Sequence, residues 1–297
     1  MNDMTNTTIV APTLSSSAML VELGISVWTA SKRDKRASEE VTTSNRAQRG
    51  AARVNKSLLA GCAELDAIQK FAGNTRTLHY HSTLPWSDTG LRLIPTAKYF
   101  DYHKQMTGMQ QEFNRLVEAF LGKYEWEINS VQLKLGDLFN PDDYPSLSKV
   151  RSKFDFRLNY IPMPETGDFR VDIGDAAQRE LKEKYEAFYS AQLTRAMNDV
   201  WQRAYEALSR MSERLDYSSK EDKKIFRDSL VENVLDVIDI MDSMNITNDP
   251  NMQLQQRRLK MALTGVTPEA LRESAHLRAE TKRAVDEVIK TLPSLDF

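Results

Sequence analysis

Between Asp175 and Leu215 the chain runs without a glycine or proline, while Leu181, Tyr185, Phe188, Leu193, Val200, Trp201, Leu208, Met211 and Leu215 return at helical spacing. One apolar stripe held for about eleven turns, at roughly 3.6 residues per turn, predicts a single long helix. A helix of this kind draws most of its stability from packing that stripe, so partners must come from the rest of the chain or from outside it. A second helix near 219–244 sets Val231, Val234, Leu235, Ile238 and Met241 on one side and Glu232, Asp236 and Asp239 on another. Asn248-Asp249-Pro250 then separates it from two shorter terminal helices, the last capped by Thr267 with Pro268 at its first position. Residues 175–297 therefore read as a helical part built of long antiparallel helices.

The preceding stretch, 19–174, is mixed. Met19 to Ala30 alternates Leu23, Ile25 and Val27 and suits a strand with one buried face. Ser31 is placed to cap a polar helix after it. From Val54 the apolar set Leu58, Leu59, Cys62, Leu65, Ile68 and Phe71 predicts an amphipathic helix running toward His79. Pro85, Ser87-Asp88-Thr89-Gly90 and Pro95 break the helical pattern, so Leu84 to Tyr102 reads as a compact loop or small hairpin. Thr96 is placed to cap a long helix reaching Phe139, which Asn140-Pro141 ends. Phe156, Leu158 and Tyr160, then Phe169, Val171 and Ile173, alternate with polar residues on either side of a Pro-rich turn, the clearest β-hairpin pattern in the chain. The class expected is α+β, predominantly α-helical, with long antiparallel helices and a small β-hairpin or sheet element. Residues 1–18, rich in Thr, Ser and Asn, read as a disordered leader.

Composition narrows function by exclusion. With 297 residues, 41% hydrophobic and 28% charged, the chain can bury a core, and 40 basic against 42 acidic side chains leave no overall charge excess for wrapping nucleic acid or coating a membrane. The one cysteine, Cys62, forms no internal disulfide and reads as a buried thiol on a helix stripe in a protein of a reducing compartment. No apolar run approaches the roughly 18 residues of a membrane span, and the start lacks a secretory pattern. No phosphate-binding glycine motif and no nucleophile elbow occurs. His79, His81 and His103 have the residue type of a metal site, but His-x-His aligns two rings only in a strand, so they read as ordinary packing or surface histidines. No catalytic residue, metal or cofactor is assigned.

Two segments stand out for binding. Residues 32–56 carry eight basic side chains (Lys32, Arg33, Lys35, Arg36, Arg46, Arg49, Arg53 and Lys56) against three acidic ones, and Trp28 beside them is a candidate for stacking on a base. Nucleic-acid candidates are accordingly Trp28, Lys32, Arg33, Lys35, Arg36, Arg46, Arg49 and Arg53. The segment Thr83 to Tyr102 gathers Trp86, Asp88, Arg92, Lys98, Tyr99 and Tyr102, aromatics beside charges of the kind that protein interfaces favour, and these are the partner-binding candidates.

The stretches MLVELGISVWTASKRDKR, TLPWSDTGLRLIPTAKYFDY, VRSKFDFRLNYIPMPETGDFRVDIG and AMNDVWQRAYEALSRMSERL together resemble a family of tailed-bacteriophage and prophage proteins catalogued as a domain of unknown function. The resemblance covers roughly residues 19–245 and carries no catalytic motif onto this chain. It implies a viral protein made in the bacterial host cytoplasm, in genomes that often encode a MoxR-type AAA ATPase and a von Willebrand A-type protein nearby. The expected function is that of a non-enzymatic phage accessory protein acting through protein–protein contact, as adaptor or substrate of an AAA ATPase machine, with self-association a further option. The alternative is a nucleic-acid-binding protein of phage replication or recombination.

Overall fold

A computed structural model describes residues 17–163, 175–217 and 227–293. The leader expected at 1–18 and the second strand of the expected 156–173 hairpin lie almost wholly outside these residues. The class is α+β and predominantly helical, with a small antiparallel sheet. Contacts divide the chain into two compact units of discontinuous segments, 1–22 with 82–100 and 160–297, and 23–81 with 101–159. Strand β1 (Ala18–Ser26) passes from one to the other.

In the first unit, β1 pairs antiparallel with β5 (Leu91–Pro95), from Ala18 opposite Pro95 to Glu22 opposite Leu91. Strand β4 (Leu84–Pro85) pairs with β5 on its other side, joined by a turn in which Gly90 takes φ +100°, a left-handed value that a side chain disfavours. The hairpin reading of this segment holds. Strand β6 (Asp155–Pro162) flanks β1, giving the order β4-β5-β1-β6. The long helix expected from Asp175 is present as Asp175–Leu215, here α5, and it packs against the two helices Ser229–Ser243 (α6) and Ala275–Thr291 (α9) and against β4. Ala196, Val200, Trp201, Ala204, Leu208 and Met211 of α5 are buried at steps of one, three and four, together with Val234 and Val285. Two corrections concern the terminal helices. Thr267 caps only a short helix, Pro268–Glu273 (α8), through its hydroxyl oxygen and the Ala270 amide, and Ser274 breaks the chain and caps α9 in its turn. Three helices, with Pro250–Leu263 (α7), thus stand where two were expected.

In the second unit, the polar helix expected after Ser31 is a smaller helix held between two strands. Strand β2 (Ser31–Asp34) and β3 (Val54–Ser57) pair antiparallel, and α1 (Lys35–Ser44) lies between them in sequence. Asp34 and not Ser31 is the cap, accepting a 2.9 Å hydrogen bond from the Ala37 amide. The next helix starts at Ala63 rather than near Val54, because Gly61 at φ +73° turns the chain first; it runs to His81 as α2. A third element, α3 (Tyr99–Leu135), ends where Gly136 adopts φ +51°. The Thr96 hydroxyl donates to the Ser17 carbonyl at 3.0 Å. Trp28, Phe120, Tyr124 and Phe154 form an aromatic core, with Trp28 edge-on to Tyr124 at 5.9 Å, and the short helix α4 (Leu147–Arg151) adds Val150 to the unit's buried residues.

Candidate functional site

The basic stretch becomes a compact module organised around one buried ammonium. Lys56, on β3, is only 8% exposed and lies 2.7 Å from Asp143 and 3.3 Å from Asp34. It also donates to the Leu138 carbonyl at 2.6 Å, while Lys32 meets the other oxygen of Asp143 at 2.6 Å. Burial alone would raise the Asp143 carboxyl, but the bonds from Lys32 and Lys56 outweigh it and hold Asp143 below its ordinary 3.8. Burial likewise opposes the Lys56 charge, and Asp143 and Asp34 together raise Lys56 above 10.5. Two of the eight cations are thereby spent on structure.

The others face solvent. Arg36 pairs with Glu40 and Arg49 with Glu39, both on the surface, whereas no ion pair from a described residue reaches Arg33, Lys35, Arg46 or Arg53. Arg33, Lys35 and Arg49 line a cleft of about 320 Å³ together with Glu39, Ser38 and Thr42. The hydroxyls of that cleft are already engaged: Ser38 donates to the Asp34 carbonyl and accepts from the Val54 amide, and Thr42 donates to the Ser38 carbonyl. What the cleft offers a ligand is therefore positive charge. Trp28 is not part of it. Expected as a stacking platform, Trp28 lies just beyond the end of β1, is 7% exposed and is packed against Phe120 and Tyr124 in the apolar interior.

The segment Thr83 to Tyr102 is built inward. Trp86 is 4% exposed and meets Tyr189 of α5 edge-on at 5.1 Å. Arg92 donates to the Thr83 hydroxyl at 2.6 Å and, with Arg203, to the Thr83 carbonyl at 2.9 Å, which fixes β4 against α5. Burial pushes the neighbouring Asp199 carboxyl up, against the charges of Arg203 and Arg92. Tyr99 packs on Phe100 and Tyr160, and burial next to Tyr99 pushes the Tyr160 hydroxyl up to about 12. Tyr102 is buried in the second unit, its hydroxyl 2.7 Å from His79 Nδ1. Of the six partner-binding candidates, the aromatic anchors Trp86 and Tyr102 thus lie in the core; Asp88 is exposed and paired with Arg195 at 2.9 Å, and Lys98 and Tyr99 are half-buried.

Two features escape a reading of composition and spacing. Trp126 and Leu133, seven residues apart on α3, are 65% and 92% exposed. At roughly 100° per residue they share one face, about 10 Å apart along the axis. The other is a group of three possible ligands, Cys62, Glu64 and Glu127, whose Sγ and carboxylate oxygens lie within 4.8 Å of one another. Burial raises the Cys62 thiol above its ordinary 9.0, while the backbone N–H groups of Leu65 and Glu64 at the start of α2 pull it back. Lys123 hydrogen-bonds Glu64 and holds that carboxyl below its ordinary value. His79, His81 and His103 do not belong to this group.

Compared with protein-family models, curated proteins and solved structures, the chain matches none. Among the described residues no helix is long and apolar enough to cross a membrane.

Proposed function

We propose that this chain is a non-enzymatic phage accessory protein that works through protein–protein contact. The observation that supports the reading is the pair Trp126 and Leu133, large apolar side chains left in water on the outer face of a helix whose inner face is core. Isolated exposed apolar residues are ordinary; a tryptophan is a residue type from which interfaces draw much of their energy, and a leucine aligned with it on one helix face extends the apolar patch. The occupant is a partner protein that presents an apolar ridge to α3. In the host-cytoplasm setting that the sequence resemblance implies, a MoxR-type AAA ATPase is the first partner to test, with this chain as its adaptor or substrate. A photo-crosslinking residue placed at Trp126 in phage-bearing cells gives one defined adduct, lost when Leu133 is changed to Ser. A chain that stays an isolated monomer and yields no adduct overturns the reading, and an adduct of twice the chain mass makes the partner a second copy.

The basic module supports a second reading, contact with nucleic acid, through the three cations at its cleft and the unpaired Arg46 and Arg53 beside it. Binding through phosphates releases counterions, so affinity falls with salt, by about 0.9 log unit per log unit of salt for each duplex phosphate neutralised. Fluorescence anisotropy with labelled single and double strands measures that slope, and absence of binding at low salt removes the reading.

A further inference from the structure

On α3 the buried positions Phe113, Val117, Phe120, Tyr124, Glu127 and Val131 follow one another at steps of four and three. Five are apolar or aromatic and the sixth is a carboxylate. Glu127 is 4% exposed, and no hydrogen bond or ion pair from a described residue reaches it. A charge in such a place calls for a counter-charge. Lys123, one turn earlier, is bonded to Glu64 and acts on Glu127 only through space. What Glu127 does face is the thiol of Cys62, at the turn before α2, and the Glu64 carboxylate in the first turn of α2. These three groups come from two elements of one compact unit.

We infer that Cys62, Glu64 and Glu127 form a binding site for a divalent transition-metal ion, with zinc the best match. One soft thiolate and two hard carboxylates make a mixed set that the borderline zinc ion accepts, whereas magnesium and calcium take oxygen alone. Tetrahedral ligands at zinc bond lengths stand about 3.5 Å apart, so the 4.8 Å group closes on an ion by side-chain rotation of about 1 Å. The Cys62 proton leaves to solvent as the metal–sulfur bond forms. Three anionic ligands are then balanced by the two charges of the ion and the ammonium of Lys123, which stays beside Glu64. The fourth position falls to water.

The test uses the full-length chain, reduced and freed of metal, titrated with Co²⁺ alone. One equivalent binds and produces a near-ultraviolet thiolate-to-cobalt charge-transfer band that Zn²⁺ abolishes. Cys62→Ser removes the band, and Glu127→Gln weakens Co²⁺ binding about tenfold or more with the far-ultraviolet circular dichroism unchanged. If Glu127→Gln fails to fold, Glu64→Gln, at a position partly open to solvent, carries the same expected loss. No charge-transfer band with Co²⁺ in large excess, or wild-type affinity in the carboxamide variant, overturns the site: the latter leaves only a cysteine that captures metal unaided.

Discussion

The segments 83–95 and 31–57 look alike as text, each mixing β-branched or aromatic residues with charges and bounded by turns, yet the fold uses them in opposite ways. In the first, apolar strand residues draw the polar ones in with them. Thr83 is fully buried and takes two arginines, and Trp86 closes the core over α5. In the second, the strands are too polar to be drawn in, and one internal ion cluster at Asp143 anchors a module that leaves most of its cations outside. In both segments a charge becomes structural where buried acceptors receive it, as Thr83 receives Arg92 and Asp143 receives Lys56, and stays available where only solvent surrounds it.

Trp86→Ala removes a core indole and is expected to cost about 3–5 kcal/mol in urea unfolding; a loss under about 1 kcal/mol shows the segment to be a surface loop after all. Lys56→Met strips Asp143 and Asp34 of their shared buried partner, and about 2–4 kcal/mol is expected, since Lys32 still reaches Asp143. Acid and alkali sharpen the same point with a smaller effect. Because the folded Asp143 carboxyl sits below 3.8, its contribution is complete above that value and is lost as pH falls through the lowered one. Lys56, raised above 10.5, contributes fully below 10.5 and loses its share as pH rises through the raised value. Amide exchange in β2 and β3 should therefore accelerate at both extremes, and a Lys56→Met protein should lose the alkaline change while keeping a reduced acid change, because Lys32 still holds Asp143. Smallest of all is the effect of Arg46→Ala with Arg53→Ala, expected within about 0.5 kcal/mol by the same unfolding measurement, because both side chains are exposed and unpaired.

Much of the architecture was legible because it is written locally. The stripe of α5 repeats within each turn, so Asp175–Leu215 can be drawn without knowing what covers it. The β4–β5 turn rests on Gly90, whose φ of +100° is a property of that residue. Local signals misled where competing caps were close together: Ser31 and Asp34 both suit a helix start, and the strand pairing of Ser31 with Ser57 decided for Asp34. Thr267 and Ser274 likewise each hold a cap, which divided one expected helix into two. The candidate sites were less legible. Glu127 reads in the sequence as one more carboxylate on a charged helix, and only its burial gives the position meaning.

From its own order of residues the chain determined its class, its long helices, its charge and the places where turns interrupt it, since these depend on neighbours a few positions apart. Tertiary structure alone decided which charges are spent and which remain. Lys32 and Asp143 lie 111 positions apart, and no periodicity connects them. Trp28 became core, Trp126 stayed in water, and Cys62 came to face Glu127 for the same reason. Burial and counter-charge are properties of what surrounds a side chain in space, and a residue's sequence neighbours supply only a small part of that surrounding.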